Sequence, residues 1–179
     1  MPRTVAFLGS VNVGGNRVAM ADLRTAMTDA GFANVATVVA SGNLLFDHDR
    51  AADDELAARV GDVVAARFGF RTFAAVRTAD EVAQALAASP FAADGAPNLV
   101  HVLFLDGALP ADGFARLVAD HRGAERLAPG DRALHIDYVD GAGTSKLTKT
   151  FIEQRIGRQG TARNLRSLAR IHAAMTRAE

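Results

Sequence analysis

Apolar and polar positions divide this chain into short buried runs separated by amphipathic stretches. Thr4 to Gly9 is an apolar run of strand length that ends in a Gly- and Asn-rich loop. Met20 to Ala30 puts Leu23 and Met27 on one helical face and meets a stop at Gly31. Val35 to Ala40 and Leu44 to Phe46 read as two strands around Ser41-Gly42-Asn43, a tight turn. From Ala52 to Phe68 the spacing of Leu56, Val60, Val63 and Val64 predicts a helix with one inner stripe, and Arg71 to Val76 supplies a fourth strand. The order βαββαβ is that of a ferredoxin-like unit.

The pattern then nearly repeats. Thr78-Ala79-Asp80-Glu81 has the form of a capping box and opens a linking helix that stops before Ser89-Pro90. Leu99 to Leu105 resembles the opening strand, and Ala111 to Ala119 reads as a helix after Pro110. Strands are expected around Glu125 to Leu127 and at Ala133 to Val139, separated by Pro129-Gly130. Two helices, Ser145 to Ile156 and Arg163 to Arg177, complete the reading, which makes the second half βαββα plus one more helix. The expected fold class is therefore α/β (α+β): two ferredoxin-like βαββαβ-type subdomains with extra C-terminal helices. They should form one compact domain over residues 1–179, with halves at approximately 1–77 and 98–179 and a linking helix over 78–89. The only seam, Phe91 to Asn98, is too short for a free linker.

Composition narrows the class. A hydrophobic fraction of 49% excludes wholesale disorder. No apolar run approaches the roughly 20 residues that span a bilayer, and Val5 to Leu8 is too short for a signal segment. With no cysteine there is no disulfide, thiolate nucleophile or Cys-based metal site. A cytoplasmic protein without cofactor or membrane partner is expected. Net charge is zero, but residues 1–140 carry a balance of −6 and residues 141–179 a balance of +6. Such asymmetry fits either a surface for an anionic partner or a basic tail packed on an acidic body.

The basic residues point more sharply. Eighteen are Arg and two are Lys, and both lysines fall in Thr144-Ser145-Lys146-Leu147-Thr148-Lys149. If Ser145 caps the following helix, Lys146 and Lys149 occupy its first turn, where the helix dipole disfavours a cation. Cations, hydroxyls and free N–H groups at a helix start make an anion site. Thr161-Ala162-Arg163-Asn164 reads as a second helix start of the same kind. The loop from Gly9 to Arg17 has Gly14-Gly15 for positive φ and a close backbone approach. It is not a nucleotide P-loop, because Gly15-Asn16 stands where Lys-Ser/Thr is required.

Known catalytic patterns do not emerge. His48, His101, His121, His135 and His172 show no metal-ligand spacing, and no G-x-S-x-G elbow is present. Asp47, Asp49, Asp53 and Asp54 are read as helix-start charges, so no metal is expected and the catalytic residues are unknown.

Asn12-Val13-Gly14-Gly15, Met20 to Leu23, Gly31-Phe32, Ser41-Gly42-Asn43, Pro90-Phe91, Ser145-Lys146-Leu147-Thr148 and Thr161-Ala162-Arg163-Asn164 together resemble the domain of unknown function 1697 family. The resemblance runs nearly end to end and implies two ferredoxin-like subdomains, with no established activity. The chain departs from the family pattern at Gly9 (Arg), Ala40 (Gln), Leu165 (Trp) and Arg166 (Asn). The retained polar set defines the candidate ligand site: Asn12, Gly14, Gly15, Ser41, Asn43, Ser145, Lys146, Thr148, Arg163 and Asn164. The leading reading is a protein that binds a phosphate-bearing or other anionic small ligand at helix N-termini. Two alternatives stay open: a nucleic-acid-binding module using the basic C-terminal region, and a non-catalytic dimer or scaffold.

Overall fold

A computed structural model describes residues 1–39 and 42–177. Ser41 of the candidate set, and Ala40 of the departures, lie outside the described residues. The chain divides into two compact units, Met1–Ala83 with Arg170–Glu179, and Gln84–Ala169.

In the first unit the elements run β1 (Arg3–Leu8), α1 (Met20–Asp29), β2 (Ala33–Thr37), β3 (Asn43–Asp47), α2 (Asp54–Phe68) and β4 (Ala74–Thr78). The antiparallel sheet has the order β2-β3-β1-β4, the ferredoxin-like arrangement. Alternate residues of a strand share a face, so the register sets Ala6 beside Leu44 and Val76. That face receives Leu23 and Met27 from α1 and Leu56, Val60 and Val64 from α2. Asp53 caps α2 by accepting from Leu56 N at 3.0 Å, and Gly69 ends it at φ 78°. Asp47, by contrast, is engaged by Arg3 at 2.9 Å and Asn34 at 2.6 Å. The capping box is real: Thr78 N donates to Glu81 at 2.8 Å and Glu81 N to Thr78 Oγ1 at 3.2 Å, opening α3 (Ala79–Ala88).

The second unit runs β5 (Val100–Leu105), α4 (Ala111–Asp120), β6 (Arg126–Gly130), β7 (Ala133–Asp137), α5 (Lys149–Ile156) and β8 (Gly160–Asn164), with sheet order β6-β7-β5-β8. It is a complete βαββαβ unit, which corrects the sequence reading in two places. Gly160–Asn164 is a strand and not a helix start: it pairs with β5 from Leu105↔Gly160 to His101↔Asn164. Thr161 is buried in that strand, and the true cap of the following helix, α6 (Leu165–Thr176), is Asn164, which accepts from Ser167 N at 2.8 Å. Among the described residues α6 is thus the single extra C-terminal helix, since α5 belongs to the ferredoxin-like unit. Pro129-Gly130 is not the turn either but the end of β6. That strand lies at the sheet edge, where a missing N–H is tolerated.

The seam is folded. Arg126 holds Asp94 at 2.8 Å and Asp137 at 2.7 Å, and its guanidinium lies 4.7 Å over the Phe91 ring. A Cβ on Gly95 would meet Val100 Cγ2 at 2.5 Å and the Phe91 carbonyl at 2.7 Å, so glycine lets this turn close on β5. Among the described residues no helix is long and apolar enough to cross a membrane.

Candidate functional site

The lysine motif borders a cavity of about 490 Å³ in the second unit, between the α4–β6 connection and the β7–α5 connection. Its polar wall includes His121, Glu125, Tyr138, Ser145 and Lys146, and Leu147 and Phe151 add apolar surface.

Local geometry explains why α5 begins later than the apolar periodicity predicts. Ser145 is not the cap. It follows a 3-10 turn at Ala142–Thr144 with extended backbone, φ −71° and ψ 141°. Its hydroxyl donates to Glu125 Oε1 and accepts from Leu147 N at 3.0 Å. With Ser145 held this way, capping passes to Thr148, which accepts from Phe151 N at 3.2 Å. Lys146 therefore precedes the helix, exposed at the cavity edge, and makes no ion pair among the described residues. Lys149 is the first helical residue and pairs with Glu153 at 3.4 Å. The two lysines have different duties.

Glu125 organises the opposite wall. His121 closes α4, its N–H donating to the Leu117 carbonyl, and its Nε2 lies 3.2 Å from the Glu125 carbonyl and 3.3 Å from Oε2. The Ser145 hydrogen bond outweighs burial and, with help from the backbone N–H of Glu125 itself and then from His121, holds the Glu125 carboxyl below its usual range. Oε2 is buried without a hydrogen bond. Gly123 makes room for this arrangement, because a Cβ there would run into the Glu125 carboxylate and approach His121 Cε1 at 3.0 Å. Burial and then the Glu125 charge push the Tyr138 hydroxyl up, and its ring meets His101 edge-on at 4.9 Å. Sequence reasoning missed Glu125, His121 and Gly123. Their only signal was His-Arg-Gly-Ala-Glu in a short connection, ordinary loop composition.

The other candidates take separate places. Arg163 lies in β8, where Nη1 donates to Thr161 Oγ1 and the Ala162 carbonyl, both at 2.8 Å, and burial pulls its guanidinium down to about 10. It is not an outward cation of a helix start, and Asn164 is occupied as a cap. In the first unit, Asn12 sits at φ 58° and clasps Val18 with both ends of its amide, donating to the carbonyl at 3.1 Å and accepting from N–H at 2.8 Å. Gly14 and Gly15, at φ 69° and 131°, have open space where a Cβ would stand, so backbone conformation rather than a close protein neighbour explains them. Asn43 is buried within β3, paired with Phe7, rather than displayed by a turn.

These two units, each a four-stranded ferredoxin-like sheet with its helices, define a double ferredoxin-like α/β protein. The chain belongs to the family described as Protein of unknown function (DUF1697), whose model matches residues 1–135. That match ends before Ser145 to Thr148 and Thr161 to Asn164, so these two motifs lie outside it. Among solved structures, the chain is similar to the conserved bacterial protein SP0830 from Streptococcus pneumoniae. The TM-score is 0.76 at 21% identity, covering 99% of each chain, a likeness of fold. No curated protein matches.

Proposed function

We propose that the second unit binds a small molecule in the Glu125–Ser145–Lys146 cavity, with an anionic group of that molecule, such as a phosphate or carboxylate, received by Lys146. The observation that carries this reading is the placement of Lys146. It lines a cavity of small-molecule size, exposed and without an acidic partner among the described residues, while Lys149 three residues on is paired. Ser145 and Glu125 fix the segment on which Lys146 stands, and Leu147, Phe151 and the Tyr138 ring supply apolar surface for the body of the ligand. A cytoplasmic setting, where phosphate-bearing metabolites abound, suits the reading. Arg163 acts in this proposal as a structural cation of β8 rather than a second anion contact.

The test is thermal denaturation with and without millimolar ethyl phosphate. Wild type should gain melting temperature and Lys146→Gln should not, consistent with about 1.5–3 kcal/mol for a charge-assisted bond. Equal shifts in the two proteins overturn the reading.

A further inference from the structure

We infer that the molecule this cavity accepts is zwitterionic, carrying a protonated nitrogen as well as the anionic group; the inference rests on the cavity reading above. It follows from asking which charged groups of the wall already have partners.

Five charged residues other than His121 line the cavity: Asp120, Arg122, Glu125, Asp140 and Lys146. Asp120 is matched by Arg155 at 3.2 Å. Arg122 donates to the carbonyls of Ala119 and His121. Glu125 is turned to the protein: Oε1 takes the Ser145 hydroxyl, and Oε2 is buried against Gly123 and His121. The single Nε2 of His121 stands 3.3 Å from that oxygen and 3.2 Å from the Glu125 carbonyl, so one ring nitrogen is shared between two acceptors. Asp140 is exposed and has neither ion pair nor side-chain hydrogen bond among the described residues. Lys146 is in the same condition with the opposite sign.

Among the described residues, the wall groups without an ion pair are thus two cations, Lys146 and Arg122, and one carboxylate, Asp140. A bare anion drawn to Lys146 enters a wall that also holds Asp140, a carboxylate without an ion pair, whose repulsion works against it. A bare cation meets Lys146. A molecule with both signs gives Lys146 and Asp140 a partner each. Tyr138 stands with Glu125 in the wall and is neutral at ordinary pH, so it adds a hydrogen-bonding group without changing the balance.

Three probes of matched size separate the alternatives: phosphoethanolamine, ethyl phosphate and ethanolamine, titrated calorimetrically into the full chain. Phosphoethanolamine should bind at least about tenfold more tightly than ethyl phosphate, the scale of one added charge-assisted contact. Asp140→Asn should remove that preference and leave ethyl phosphate binding no weaker. Lys146→Gln should weaken both phosphate compounds. A preference below tenfold, or one that survives Asp140→Asn, overturns the zwitterion while the anion cavity stands. If neither phosphate compound binds, both readings fall. Asp140 is exposed, so Asp140→Asn leaves the fold intact.

Discussion

The α1–β2 connection of the first unit and the α4–β6 connection of the second occupy the same point of the same topology, and they have been built oppositely. In the first, Phe32 fills the corner at 4% exposure, edge-on to Phe46 at 4.9 Å, with the Arg59 guanidinium 4.4 Å over its ring. Arg59 comes from α2, fifteen residues long. In the second, the matching stretch is His121 to Glu125, and the helix that could cover it, α5, has eight residues. The corner there is a cavity walled by a carboxylate, an imidazole and a hydroxyl. One copy of the motif uses this position for apolar burial. The other gives up that burial and keeps a set of polar groups whose partners are incomplete, which is the condition expected of a binding site.

The largest way to break the comparison is to open the closed corner. Phe32→Ala removes a buried ring and its edge-on and cation–π contacts, and should destabilise the protein by about 3–5 kcal/mol in denaturant titration. A loss below about 1 kcal/mol would mean that Arg59 and Phe46 collapse over the gap and that the aromatic plug is not what distinguishes the two corners.

Next in size is the clasp of the open corner. Ser145→Ala leaves Glu125 with neither oxygen hydrogen-bonded and should cost about 1–3 kcal/mol near neutral pH. The pH dependence carries a sign. The folded Glu125 is held below its ordinary value of 4.5, so its contribution is fully present above that value and is lost as pH falls through the lower folded value. The variant should therefore approach wild type in acid, and a cost that stayed constant down to the acid transition would show that the hydroxyl acts by packing alone.

How much of this was legible in the residues follows the same division. Apolar periodicity suffices where burial decides, so the first sheet, three strands of the second, the capping box at Thr78 and Glu81, and the stripe of α2 are readable from local pattern. It fails at β8. Thr161 and Asn164 are both cap-like residues, and only pairing with β5, nearly sixty residues earlier, decides that the first lies in a strand and the second caps. It fails again at Ser145, whose local preference for a cap is overridden by an acceptor twenty residues away. Of the candidate site, Lys146 and Ser145 were readable because an Arg-rich composition makes Lys conspicuous. Glu125, His121 and Gly123 were not, since a carboxylate in a short connection reveals nothing of its burial until the fold supplies its neighbours.

A subtler substitution tests whether Gly123 is required by Glu125. Gly123→Ala puts a methyl group where the carboxylate lies, so the side chain must swing away from Ser145. The lost hydrogen bond, about 0.5–1.5 kcal/mol, is opposed by about 0.4–1 kcal/mol from the stiffer unfolded chain. Net stability should change by less than about 1 kcal/mol, while the amide of Leu147, which donates to Ser145 Oγ, shifts clearly in an NMR spectrum. An unmoved Leu147 amide would mean that the carboxylate finds another route to Ser145.

The smallest effect on stability belongs to the residue with the largest proposed effect on binding. Lys146 stands before α5 and not in its first turn, so its removal relieves no helix dipole and breaks no ion pair. Lys146→Gln should leave the unfolding free energy within about 0.5 kcal/mol of wild type. Lys149→Gln loses an i,i+4 pair with Glu153 worth about 0.3–0.5 kcal/mol, but it also takes a cation from the amide end of a helix, and the two effects oppose each other. Both variants should thus melt like wild type. They should part only in the presence of ethyl phosphate, where the Lys149 variant retains the ligand-induced rise in melting temperature and the Lys146 variant does not. If the two lose that rise equally, the anion answers to the general positive charge of residues 141–179, and the contrast between a paired and an unpaired lysine has no functional meaning.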